Sequence, residues 1–139
     1  MSLIRLVYAS NSLLDGSSRG AELDRILAGA RRFNQENGVT GFLLATQTAF
    51  AQVLEGADAD VRKTYDRIMA DPRHDDLRIL SAVPAAERLF TRWAMGVAEQ
   101  DETTQFIFGL YGVTPERDLL VQPVDALVDL AGELARRPA

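Results

Sequence analysis

The 139-residue sequence contains no cysteine, which excludes a disulfide framework, a thiolate-held metal and a cysteine nucleophile, and fits a reducing compartment. Histidine is nearly as scarce. His74 stands alone among Arg73, Asp75 and Asp76 and reads as a surface or loop residue, so no metal site is expected. Lys63 is the only lysine, and the basic side is in deficit overall: 15 Lys+Arg against 20 Asp+Glu give a net charge of −5. That balance offers no general attraction to phosphate backbones or anionic membranes, so neither nucleic acid nor a membrane is an expected partner. No apolar run approaches the ~20 residues of a membrane span. The start, MSLIRLVYAS, lacks a basic region followed by a long apolar stretch and cleavage site, and the expectation is a soluble cytoplasmic protein. Also missing are GxGxxG, a P-loop, a nucleophile elbow and a Ser/His pair in catalytic context, so no catalytic residue is assigned and an enzyme is not expected.

What is there is a chain 47% hydrophobic and long enough to bury roughly two thirds of its unfolded surface in one core. Leu3 to Ser10 alternate, with Ile4, Leu6, Tyr8 and Ser10 on one face and Leu3, Val7 and Ala9 on the other, which predicts a strand. The polar turn Asp15 to Gly20 leads into a helix over Ala21 to Asn37, stopped by Gly38. Val39 to Thr46 and Ala49 to Glu55 predict a hairpin, and Gly56 and Asp58 open a second helix ending near Asp71 and Pro72. Two more strands are expected at Leu77 to Val83 and Phe90 to Val97. The order βαββαββ favours an α+β, ferredoxin-like sheet with both helices on one face. After Gln100, short helices are expected at Thr103 to Tyr111 and Val124 to Leu134, broken by GVTPE and QP. We therefore read residues 1–100 as the ligand-binding unit and 101–139 as a two-helix extension that covers the sheet's other face or joins a partner.

Three polar residues fall where the patterns call for core. The helix face Leu23, Leu27, Ala30 ends on Asn34, Gln52 shares the inward face of Phe50 and Leu54, and Tyr8 shares that of Ile4 and Leu6. Singly, each has an ordinary reading: a helix-end Asn before Gly38, a Gln bonded to backbone, a core Tyr. Together they leave several buried polar groups that cost about 1–3 kcal/mol each if unpaired, which a polar-edged ligand between the helices would satisfy. An amide presents a donor and an acceptor side by side, suited to a heterocycle edge carrying N–H and C=O groups, while neighbouring aliphatics suit flat ring faces. A flavin fits, as do several other heterocycles.

The segments LIRLVYAS (3 to 10), NGVTGFLLAT (37 to 46), FAQVLEG (50 to 56), YDRIMADPRH (65 to 74) and RLFTRWAMG (88 to 96) resemble, in order and spacing, the BLUF family of blue-light sensors using FAD. The resemblance covers about the first hundred residues and is nearest to short stand-alone members with two C-terminal helices. It implies FAD as cofactor, its ring held between the two helices. It further implies that Tyr8 and Gln52 carry the photochemistry, that Asn34 bonds the pyrimidine end, that Arg67 and Asp71 lie near that edge, and that Ile26 and Ile68 line the ring faces. Trp93 and Met95 match a final-strand pair that modulates the response. On illumination Tyr8 would give up an electron and a proton and the Gln52 amide would rotate or tautomerise, leaving a slightly red-shifted form that decays in the dark. Phe33 stands where many members carry a polar or imidazole side chain, implying ring contact in place of a hydrogen bond. Ala94 replaces a frequent Ser, and Asp15 to Gly20 is slightly longer than usual. The signal would leave through the C-terminal helices by altering a homo-oligomer or an unidentified protein partner's interface. Two rival readings stand beside it. One is a light-insensitive dimerisation or regulatory module; the other is an acylphosphatase-like hydrolase, disfavoured by the lack of a glycine-rich anion loop before an arginine.

Overall fold

The computed structural model describes residues 2–91 and 95–137. Alternating apolar side chains make β1 (Leu3–Ser12), and the inward stripe Leu23, Leu27, Ala30, Asn34 makes α1 (Arg19–Glu36) amphipathic. Gly38 follows at φ 67°, a conformation that lets the chain leave the helix and enter β2 (Thr40–Ala45). A tight turn leads to β3 (Ala49–Ala57), after which α2 (Asp58–Met69) starts with Asp58 and Asp60 in its first turn, where acidic groups favour the helix dipole. Then come β4 (His74–Ala85) and β5 (Gly96–Glu99).

The five strands lie in the order β4-β1-β3-β2-β5, antiparallel except where β5 runs parallel to β2. This is the expected α+β arrangement, with the longest-paired strands β1 and β3 at its centre. Their register sets Tyr8 directly opposite Gln52. Cross-strand partners project to the same side, so the register alone makes these two side chains neighbours.

Both faces of the sheet are covered. On one, Leu6, Tyr8, Leu43, Phe50 and Leu54 pack with Leu23, Leu27 and Ala30 of α1 and Val61 and Tyr65 of α2. On the other, Val7, Ala9, Phe42, Leu44, Ala51 and Val53 pack with the tail: α3 (Gln105–Leu110), a 3-10 turn at Leu119–Val121, and α4 (Val124–Arg136). Of the two placements open to the tail, the chain uses the sheet's second face. Asp118 ties it there by accepting from Thr46 Oγ1 at 2.8 Å, and from Thr48 Oγ1, at the β2–β3 turn.

The last strand is displaced from the expected Phe90 to Val97. Phe90 belongs to no strand. It is 1% exposed and stacks on Phe42 with ring centroids 5.8 Å apart, so its apolar character serves the tail-side core. Its backbone N–H and that of Leu89 donate to the buried carboxylate of Glu55 at 2.9 Å, replacing a sheet ladder. The Glu55 charge is balanced by Arg5 Nε at 2.8 Å, and Arg88 donates to the carbonyls of Glu55 and Gly38. Trp93 and Ala94 lie outside the described residues.

Candidate functional site

A cleft of about 490 Å³ opens on the helical side of the sheet. Tyr8, Leu43, Phe50, Gln52, His74 and Met95 form its floor. Ile26, Leu27 and Ala30 of α1 form one wall, with Glu22 at its end, and Arg67 and Ile68 of α2 with the turn Ala70 to Arg73 form the other. The volume falls within the roughly 300–1,000 Å³ of small-molecule sites.

At its floor, the Tyr8 hydroxyl donates to Gln52 Oε1 at 2.5 Å, and Gln52 Nε2 donates to Met95 Sδ at 2.9 Å. Gln52 is 5% exposed. Burial first, then the nearby Tyr65 and Asp71, push the Tyr8 phenol well above its ordinary value, so it enters any reaction protonated. Tyr65 stands edge-on to Tyr8 with centroids 5.6 Å apart, and burial raises its phenol as well.

The rim is ionic. Burial alone would raise the Asp71 carboxyl, but two side-chain bonds and a backbone N–H from Arg73, with the positive charge of that guanidinium, hold it below the usual carboxylate range. Arg73 also reaches Glu22 of α1 at 3.7 Å, so one guanidinium spans both walls. Nearby, Arg67 lies 5.1 Å above the Phe33 ring. A Cβ on Gly29 would sit 2.7 Å from Arg67 Nη2, so Gly29 and Phe33, one turn apart, form the groove that receives Arg67.

Of the residues expected from sequence, Tyr8, Ile26, Gln52, Arg67, Ile68, Asp71 and Met95 line this one cleft. Phe33 and Asn34 are outside that lining: Phe33 supports Arg67, and Asn34, 1% exposed, is buried near the end of α1. Trp93 falls outside the described residues. Tyr65, Arg73 and His74 were missed. His74 is a correction to the surface reading, for it is largely buried beneath Tyr8 and Phe50. Its Nε2 donates to the Ile68 carbonyl at 2.8 Å, so in the neutral ring Nδ1 accepts from Ser10 Oγ, also at 2.8 Å. Alternation counted back from Leu77 puts His74 on the wrong face. The register of β4 against β1 shifts between Ala9 and Asn11, beside Asp76 at φ 52°, and that extra residue turns His74 inward.

The donor set fits a flavin. Ile26, Leu27, Leu43 and Ile68 supply apolar contact for ring faces, while the Gln52 amide faces the cleft with only a thioether accepting from its nitrogen. Sulfur is a weak acceptor, so carbonyl and imine atoms on a heterocycle edge are better partners for that amide. Among the described residues no group of acidic or histidine side chains could hold a metal, and no helix is long and apolar enough to cross a membrane.

A family model described as "BLUF: Sensors of blue-light using FAD" matches residues 3–96. Photoactivated adenylate cyclase subunit beta of Euglena gracilis is 34% identical over 102 residues, 73% of this chain. The match spans only 12% of that protein's length. Among solved structures, BlsA in its photo-activated state superposes with a TM-score of 0.84 at 29% identity, over 98% of this chain and 96% of that one. A BLUF protein in its dark state, BlrB, gives 0.78 at 24% identity over 96% and 97%, a likeness of fold alone.

Proposed function

We infer the working of this chain from one premise: it belongs to the BLUF family and is a blue-light sensor that binds FAD. When bound, FAD supplies the absorption of blue light and an excited state that accepts an electron. The observation that carries the rest is the hydrogen-bonded row Tyr8, Gln52, Met95 on the cleft floor.

In that row Tyr8 would give an electron and a proton to the bound flavin and take both back once the Gln52 amide has rearranged. Its hydroxyl, held 2.5 Å from Gln52 Oε1, has the amide as its proton path. Gln52 is the switch, because a primary amide that rotates or tautomerises exchanges its donor and acceptor ends without leaving its place. Met95 biases it. A thioether accepts but cannot donate, so the orientation with Nε2 toward Sδ is favoured and the reversed one sets oxygen against sulfur. Ile26 and Ile68 enclose the ring, and Arg67, with Asp71 held ionised by Arg73, presents donors and charge to a polar edge. Asn34 is assigned to the pyrimidine end, Phe33 to the support of that wall, and Trp93 to the modulation of the response.

Residues 1–100 form the flavin-binding unit and 101–139 the cap and output, working in the cytoplasm through a second copy or a protein partner and catalysing no reaction of their own. The likeness to BlsA over nearly the whole chain supports this reading, while the cyclase relatives carry most of their length elsewhere. Absorption spectra of the purified protein in the dark, after blue light and during recovery test it. A flavin spectrum with a small reversible red shift is expected; bound flavin without a shift would remove Tyr8 and Gln52 from the switch.

A further inference from the structure

Met95 can discriminate between the two orientations of the Gln52 amide only while its sulfur stays where the amide meets it. The side chain is buried and flexible, and thioethers adapt readily to altered surroundings, so something must hold the residue. One hydrogen bond does so from α1. Arg31 Nε, on α1, donates to the Met95 backbone carbonyl at 3.0 Å. Arg31 is engaged in no ion pair among the described residues, so its charge is spent on this carbonyl, a charge-assisted bond stronger than a neutral one. Met95 is thus fastened to α1 through its backbone and to β3 through its sulfur.

We propose that Arg31 is a positioning residue that sets the lifetime of the light-adapted form by holding Met95 against Gln52. The inference rests on the switch proposed above. With Met95 fastened, the reversed amide keeps its oxygen against a sulfur that cannot retreat, and the strained arrangement returns quickly. With the fastening removed, Met95 withdraws, the reversed amide is relieved and the return slows. Arg31 is not itself part of the cleft lining and reaches it only through the Met95 carbonyl, away from the Tyr8–Gln52 bond, so the size of the red shift stays the same while its lifetime changes.

The test uses the full chain with Arg31→Met, which keeps an apolar stem without a donor on an exposed helix surface, and Arg31→Lys, which restores a cationic donor. Dark recovery of the flavin spectrum is expected to slow about two- to tenfold in Arg31→Met, the factor for one hydrogen bond whose charge assistance is screened by solvent at the exposed Arg31. Arg31→Lys should recover part of the difference. Methyl NMR of labelled methionine gives a second readout, since only Met1, Met69 and Met95 contribute signals. The Met95 signal should move in Arg31→Met and return toward its place in Arg31→Lys. Unchanged recovery in Arg31→Met overturns the proposal. A parent protein that binds flavin but shows no shift overturns the switch instead, and the Met95 signal in the dark protein then decides alone whether Arg31 holds that residue.

Discussion

Tyr8 and Gln52 illustrate what residue type and position can do before any ligand is considered. A phenol and an amide buried opposite each other in one register bond to each other, and that bond survives only if neither is replaced by an apolar group. Tyr8→Phe is expected to keep flavin bound and abolish the red shift, read by difference spectroscopy. Gln52→Leu should abolish it too, for an aliphatic side chain has no donor and acceptor ends to exchange. Burial of Tyr8 has a thermodynamic consequence as well. Its folded-state value is raised above the ordinary phenol, so its contribution is complete below about pH 10 and is lost as pH rises beyond that, with a limiting slope of about 1.36 kcal/mol per pH unit. Urea unfolding between pH 8 and about pH 11.5 should show this fall, and Tyr8→Phe should reduce it. At this scale the sequence was readable where parity held: the inward Tyr8, Gln52 and Asn34 all follow from uninterrupted periods of two or 3.6. His74 was not readable, because a bulge leaves no mark on residue type. Nor was Arg73, since a charged residue beside Asp71 reads as solvated surface until α1 is seen to bring Glu22 alongside.

Elements meet at two places that leave no slack. Gly41 of β2 lies so close to β3 that a Cβ would stand 2.1 Å from the Val53 carbonyl oxygen, an atom of backbone that cannot swing aside. Gly41→Ala should therefore destabilise the fold by more than about 3 kcal/mol, measurable as a lowered urea midpoint. The turn after α2 depends on charge. Asp71 has its value lowered in the folded protein, so its stabilising effect is present above pH ~4 and is lost as pH falls below the usual carboxylate range. Unfolding measured from pH 6 to pH 3 should show that loss, and Asp71→Asn should flatten it. Helices and inner strands were legible to within a few residues because each carries an apolar stripe of the right period. The last strand was not, because Phe90 mimics a strand residue while packing as an anchor on Phe42, and the ladder its backbone lacks is replaced by the carboxylate of Glu55.

The whole molecule is a sheet with two cores, one lined by α1 and α2 and one by the tail. Composition and strand order foresaw the first. The second was left open between cap and partner, since an amphipathic helix tells which side it buries and not against what. Leu130, fully buried under the sheet, offers a test of how independent the two cores are. Leu130→Ala should cost about 2–5 kcal/mol of stability by urea unfolding, yet leave the flavin absorption band where it was, because none of its neighbours lines the cleft. The partition between the cores is β3 itself. Phe50, Gln52 and Leu54 look toward the helices, and Ala51, Val53 and Glu55 look toward the tail. A single strand thus spells two interleaved messages. Every second letter can be rewritten to suit a new neighbour on the tail side while the letters between them, which face the cleft side, stay untouched.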